Sequence, residues 1–252
     1  MLDYFFPDMR MRNISDKEKL ELAHVDMNRF QRTIRQFRLI NNLFSGSSRL
    51  LRKHFFTIME QDPDRIYTLL DVGAGGCDIA IRTARKARQL GLKLNITALD
   101  NDRRIIPLAN HAIRDYPEIH LIEGNALELN RLGPFDFVFS NHLLHHLDWN
   151  DIKIFLDSIL DRTRIAFVMN DLKRSKMAYL GFTIFSWLFT TRSYHFHDGR
   201  LSIRRGFLPE ELNSFIRSNY LNRAIHVEET YPARIVLVYK PSAINETDPL
   251  LQ

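Results

Sequence analysis

The chain has 252 residues, of which 45% are hydrophobic and 26% charged, with a formal net charge of +5. That is enough for one large α/β domain with accessories, it is too apolar for a disordered protein, and the dispersed charge contains no run resembling a nucleic-acid tail. The single cysteine, Cys77, excludes an internal disulfide and suits a reducing, cytoplasmic compartment.

In chain order, MLDYFFPDMRMRN reads as an arm with aromatic anchors Tyr4, Phe5 and Phe6, without the layout of a secretion signal. Ser15-x-x-Glu18 predicts a capping box and a helix starting there. A helix over about Asp26–Phe44 presents Phe30, Ile34, Phe37, Ile40 and Phe44 on one face, with Arg29, Arg32, Arg35 and Arg38 on the solvated side. A third helix, about Arg49–Glu60, precedes the linker Asp62-Pro63-Asp64. From Thr68 strands and helices alternate, which predicts a parallel sheet with helices on both faces. Buried strands are expected at Leu69-Leu70, Leu94–Asp100, His120–Ile122, Phe135–Phe139 and Arg164–Met169. The helices between them carry Ile79, Ala80, Thr83, Ala84 and Ala87, then Ile105, Ile106, Ala109 and Ile113, then Ile152, Phe155, Leu156, Ile159 and Leu160. The alternation then breaks until Pro209 opens another helix, and His226–Glu229 and Ile235–Tyr239 close the sheet as an antiparallel pair.

The stretch Thr68–Ala80, TLLDVGAGGCDIA, is a strand that meets Asp71, turns through Gly73, Ala74, Gly75 and Gly76, and enters a helix. Glycines let backbone N–H groups approach a ligand, and the helix N-terminus adds a positive dipole end. The next strand ends in Asp100, where a carboxylate can grip ribose hydroxyls. Asp71-x-Gly-x-Gly-Gly, Asp100, Gly124-Asn125-Ala126 and Asp136-Phe137-Val138-Phe139, in that order, resemble the class I S-adenosylmethionine-dependent methyltransferases over roughly residues 68–240. Among them the chain is most similar to small-molecule enzymes of quinone biosynthesis and polyketide pathways.

The resemblance implies a Rossmann-like, doubly wound, mostly parallel seven-stranded sheet with an antiparallel last strand. Residues 1–66 would form an N-terminal helical cap, residues 67–240 the methyltransferase domain with a helical lid insertion at 171–205, and residues 241–252 a tail. It also implies S-adenosylmethionine as cofactor and S-adenosylhomocysteine as product. Asp71 and the Gly73–Gly76 turn would hold the methionine portion and Asp100 the ribose. Asn101, Asn125 and Ala126 would lie along the adenine, and Ser140 and Asn141 near the sulfonium. The family often has Asp where this chain has Asn125; an amide can still donate to and accept from an adenine edge.

His142, His145 and His146 follow the fourth strand and are the candidate catalytic bases for removing a proton from an oxygen acceptor. No H-E-x-x-H helix accompanies them, so no metal is expected. The apolar stretch Met177–Phe189, flanked by Lys173, Arg174, Lys176 and Arg192, is too short to span a bilayer. Phe182, Phe185, Trp187 and Phe189, with His195 and His197, are the expected acceptor-binding residues, and the flanking cations could rest against a membrane surface. An extra core helix is the competing reading. The function expected is methyl transfer to a lipophilic phenol, enol or quinol in the cytoplasm. A nucleic-acid methyltransferase and a non-catalytic cofactor-binding partner are the alternatives. Against the first, strand four ends in Ser140-Asn141-His142-Leu143, not Asn/Asp-Pro-Pro-aromatic.

Overall fold

The computed structural model describes residues 7–22, 24–190 and 192–241. The anchors Tyr4, Phe5 and Phe6 and residues 242–252 lie outside that range. Seven strands form one sheet: β1 (Ile66–Val72), β2 (Lys93–Asp100), β3 (Ile119–Glu123), β4 (Phe135–Asn141), β5 (Thr163–Leu172), β6 (Ile225–Thr230) and β7 (Arg234–Tyr239), in the spatial order β3-β2-β1-β4-β5-β7-β6. The first five pair in parallel, and β7 runs antiparallel to both β5 and β6. This is the doubly wound mixed sheet expected.

The helices are α1 (Met27–Phe44), α2 in three joined pieces (Ser47–Leu51, the π-turn Arg52–Phe56 and Thr57–Met59), α3 (Asp78–Gln89), α4 (Ile106–Ile113), α5 (Trp149–Leu160), α6 (Lys176–Phe189), α7 (His195–Arg205) and α8 (Pro209–Tyr220). The period of two sends neighbouring strand residues to opposite cores. Leu69, Ile96, Phe137 and Val168 pack with Phe55, Met59, Ile79 and Ala84 on one face. Leu70, Val138, Phe167 and Met169 pack with Ile152, Phe155, Leu212 and Ile216 on the other. Both faces are covered, so the central strands carry continuous apolar runs such as Phe137–Phe139 and Ile165–Met169.

Asp136 is fully buried at the start of β4, away from the ligand end. It accepts the Thr68 backbone N–H at 2.9 Å and pairs with Arg65, so it staples β4 to β1. α1 starts where Asp26 accepts the N–H of Asn28 at 2.8 Å, as an N-cap should.

The expected helix at Ser15 is not formed. A three-residue 3₁₀ turn, Lys19–Glu21, stands there, capped by Glu18 with Glu21 returning to the Glu18 N–H at 3.0 Å. The segment is a strap held from outside. Asp198 accepts the N–H groups of Lys19 (2.8 Å) and Leu20 (3.1 Å), and Arg104 donates to the carbonyls of Leu20 and Leu22. These long-range partners give it a fixed course that local propensity does not.

Candidate active site

Strands β1, β2 and β4 end at one edge of the sheet, and the strap and α1 lie across that edge. Between them is a cavity of about 830 Å³, within the usual range of about 300–1,000 Å³ for ligand pockets. Parallel sheets place ligands at this edge because the loops there diverge where the strand order reverses.

The floor is the turn after β1. Gly73 (φ 72°) and Gly75 (φ 54°) take left-handed backbone that side-chain-bearing residues resist. The N–H groups of Gly73 and Ala74 both donate to the Leu99 carbonyl, and that of Gly75 to Asp100 Oδ2 at 2.7 Å. A Cβ on Gly75 would meet nothing within 4 Å, so this part of the turn opens onto free space.

Asp71 lines the cavity and is 3% exposed, and its Oδ2 has no partner among the described residues. Burial, with Asp78 and Asp100 nearby, pushes its carboxyl up to about 7. Such a group is set for a cationic donor. Asp100 accepts from Gly75 and, through Oδ1, from the Asp102 N–H at 3.0 Å. Each oxygen keeps a second lone pair for a ligand hydroxyl. Asn101, Asn125 and Ala126 continue the same wall, with Asn125 Oδ1 accepting the Leu127 N–H at 3.0 Å.

The opposite wall is apolar. Phe30, Ile34 and Phe37 come from α1, Leu20 and Leu22 from the strap, and Leu143 and Leu147 from the segment after β4. Asn141 and His142 stand between the two walls. His142 has left-handed backbone (φ 62°) and donates its N–H to the Asn170 carbonyl at 3.0 Å. Burial, and then Arg234, hold its ring well below the usual histidine range, so it is neutral near pH 7.

The comparisons with known proteins agree with this geometry. A family model described as a methyltransferase domain matches residues 69–164. Residues 69–164 carry a methyltransferase domain. No curated protein matches the chain. Solved structures share the fold at low identity. Magnesium protoporphyrin IX methyltransferase from Synechocystis PCC 6803, with bound S-adenosylhomocysteine, is 10% identical over 88% of this chain and 90% of its own, with TM-score 0.54. A methyltransferase from Aquifex aeolicus is 14% identical over 87% and 100%, with TM-score 0.57. Human N-acetylserotonin methyltransferase is 12% identical over 85% of this chain and 57% of its own, with TM-score 0.58.

Several expected residues of the methyltransferase lie elsewhere. Ser140 is buried with Oγ 2.9 Å from Met169 Sδ and does not line the cavity. His145 also stays behind the wall. Its Nδ1 is 2.7 Å from Asp171 Oδ1, and Asp171, despite burial, is held far below the usual carboxylate range chiefly by His145. His146 does reach the cavity, with Nδ1 2.8 Å from Glu21 Oε1. Burial opposes its charge, but Glu21 and Glu18 raise its pKa on balance.

The insertion points away from the cavity, and none of Phe182, Phe185, Trp187, Phe189, His195 or His197 lines it. Phe185 packs edge-on against Phe44, and Trp187 (71% exposed) and Phe189 (62%) face outward. His195 is a buried strut between the Thr33 carbonyl and the Phe37 ring, and burial lowers it to about 4. His197 bonds Asp198 at 2.8 Å. Arg174, expected at the surface, is buried on the carbonyls of Met9 and Gly206. Cys77 is buried, and burial raises its thiol, which makes it inert.

The sequence alone does not place the strap residues Glu18, Leu20, Glu21 and Leu22, or Asn41, at the cavity they line. Asn41 binds Asp78 through Nδ2 and meets Asn141 Nδ2 at 3.3 Å through its carbonyl oxygen. The signal available for it was its register on the apolar face of α1.

Proposed function

We propose that the protein transfers the methyl group of S-adenosylmethionine to a small lipophilic acceptor bearing a phenol, enol or quinol hydroxyl. The observation that carries this is the Asp71 carboxyl, whose Oδ2 has no partner among the described residues, beside a glycine turn that opens onto the cavity, with Asp100 at the end of the next strand. The residues fit the cofactor: Asp71 would face the ammonium, the turn would admit the methionine chain, Asp100 would take the ribose hydroxyls, and Asn125 would meet the adenine. The bound cofactor supplies a methyl carbon already activated by a sulfonium.

The chain then has to hold, align and deprotonate. Phe30, Ile34, Phe37, Leu143 and Leu147 offer an apolar bed for a ring and keep water from the donor. His142, neutral and at the end of β4, takes the hydroxyl proton. Neighbours of the same fold named for N-acetylserotonin and for magnesium protoporphyrin IX support a ring-bearing acceptor. The exposed Met177, Ile184, Trp187, Leu188 and Phe189 of α6, with Lys176 and Arg192, would rest on an anionic lipid surface from which a greasy acceptor is drawn.

The test is calorimetric titration of both S-adenosylmethionine and S-adenosylhomocysteine. Asp100→Ala should weaken each by about ten- to a hundredfold, since hydrogen bonds to a charged acceptor contribute roughly 1.5–3 kcal/mol. Unchanged affinity would remove Asp100 from the ribose site.

A further inference from the structure

Among the described residues, Glu18, His145 and His146 each bring one ligand atom to within 4.8 Å of the others. Glu18 and His146 also line the cavity, so the cluster stands in its wall. Both histidines have Nδ1 held by a carboxylate, His145 by Asp171 at 2.7 Å and His146 by Glu21 at 2.8 Å, with Arg205 Nη1 also 3.3 Å from His146 Nδ1. A carboxylate on one ring nitrogen fixes the tautomer and leaves the other nitrogen as a lone pair, which is the usual support of a metal-binding histidine.

His145 is 2% exposed, and its Nε2 has no partner among the described residues. It lies 3.8 Å from Glu18 Oε1, which accepts from Ser202 Oγ at 2.6 Å and keeps a second lone pair. With Nδ1–H donating to an ionised Asp171, Nε2 is an acceptor, and so is the carboxylate facing it. Two buried acceptors facing each other repel unless something positive or doubly donating stands between them. Bonds of about 2.0–2.2 Å to imidazole nitrogen and carboxylate oxygen nearly bridge such a gap.

The neighbouring cations are already engaged. Arg205 approaches Glu18 to 3.8 Å but is bonded to Glu21 and the Asp16 carbonyl, and Arg12 donates to the carbonyls of His145, Leu147 and Arg205.

We propose that Glu18, His145 and His146 form a binding site for a divalent first-row transition metal, with a coordination position open to the cavity. Two imidazoles and one carboxylate suit zinc or a neighbouring metal rather than magnesium or calcium, which prefer all-oxygen sites. In the cavity wall the open position would meet an acceptor oxygen. That role rests on the methyl-transfer reading; metal binding itself does not.

The experiment uses the full chain stripped of metal at about pH 8, where histidine ligands are deprotonated. Zinc alone is titrated against a chromogenic competitor, and cobalt alone is followed by its d–d absorption. One equivalent of zinc should bind. Glu18→Gln and His146→Gln should each weaken it by at least about tenfold, since losing even a group that only supports a metal ligand costs about ten- to a hundredfold. Both should also abolish the cobalt band, while His226→Gln, an exposed control, should change nothing. Each variant's melting curve without metal confirms that it is folded. Absence of one-equivalent binding, or binding that survives both substitutions, overturns the proposal, and a water then fills the gap. Because no turnover is measured, either result is independent of the methyl-transfer reading.

Discussion

Asp71 and His142 carry the residue-scale consequences. With its carboxyl at about 7 against an ordinary 3.8, Asp71 in the folded protein holds a proton that the unfolded chain has already lost between those values. Its contribution to stability is therefore full below about pH 4 and lost as pH rises through 7. An ammonium docked on Asp71 favours the ionised form, so binding near pH 6.5 should release protons and tighten as pH rises to about 7. Calorimetry in two buffers of different ionisation enthalpy measures that release. Asp71→Asn should remove most of it; a residue would remain from Asp78 and Asp100, which burial also raises. His142→Asn, chosen because asparagine tolerates left-handed backbone, should lower kcat about 10²–10⁴-fold with cofactor affinity intact. His145→Ala should act on folding instead, costing about 1.5–3 kcal/mol in a denaturant melt because the buried Asp171 loses its side-chain hydrogen bond and keeps only the backbone N–H groups of residue 145 and Leu172. The reverse pattern would return the base role to His145.

At the scale of elements, the strands and sheet helices were legible because their signals are local. Phe137–Phe139 and Ile165–Met169 are apolar throughout, and Ile79, Ala80, Thr83, Ala84 and Ala87 are all buried on one face of α3, as their spacing requires. The strap was not legible. Ser15-x-x-Glu18 has the letters of a capping box, but Glu18 is engaged by Ser202 and Glu21 by Arg205 and His146, partners far away in the chain. Nor was the direction of α6. It is apolar nearly all round, so periodicity could not tell its buried face from its outer one. The outer face gives a prediction. Trp187→Ala combined with Phe189→Ala should shift stability by only a few tenths of a kcal/mol per site, as exposed substitutions do, yet should reduce co-sedimentation with anionic vesicles. Phe185→Ala, which removes the contact with Phe44, should lower the melting temperature. Vesicle binding unchanged by the double variant would leave α6 without a lipid role.

For the whole molecule, the cavity is wider than the stretch that defines the domain. Residues 69–164 supply the turn, Asp100 and the histidines, but α1, the strap and the α7 side chains that tie the strap come from outside them. The candidate donor site was legible in the motifs of the sheet edge because strand ends and loops are close in sequence. The acceptor wall was hidden because it is assembled across the length of the chain. The measurement that tests the whole account most directly is a crystal structure of the protein with S-adenosylhomocysteine. The account predicts the ligand lying along the carboxyl ends of β1 and β2. Its ammonium should be within hydrogen-bond distance of Asp71 or joined to it by one water, with both ribose hydroxyls on Asp100, adenine beside Asn125, and sulfur facing His142. A ligand bound elsewhere, or in this cavity with Asp71 and Asp100 untouched, would contradict it.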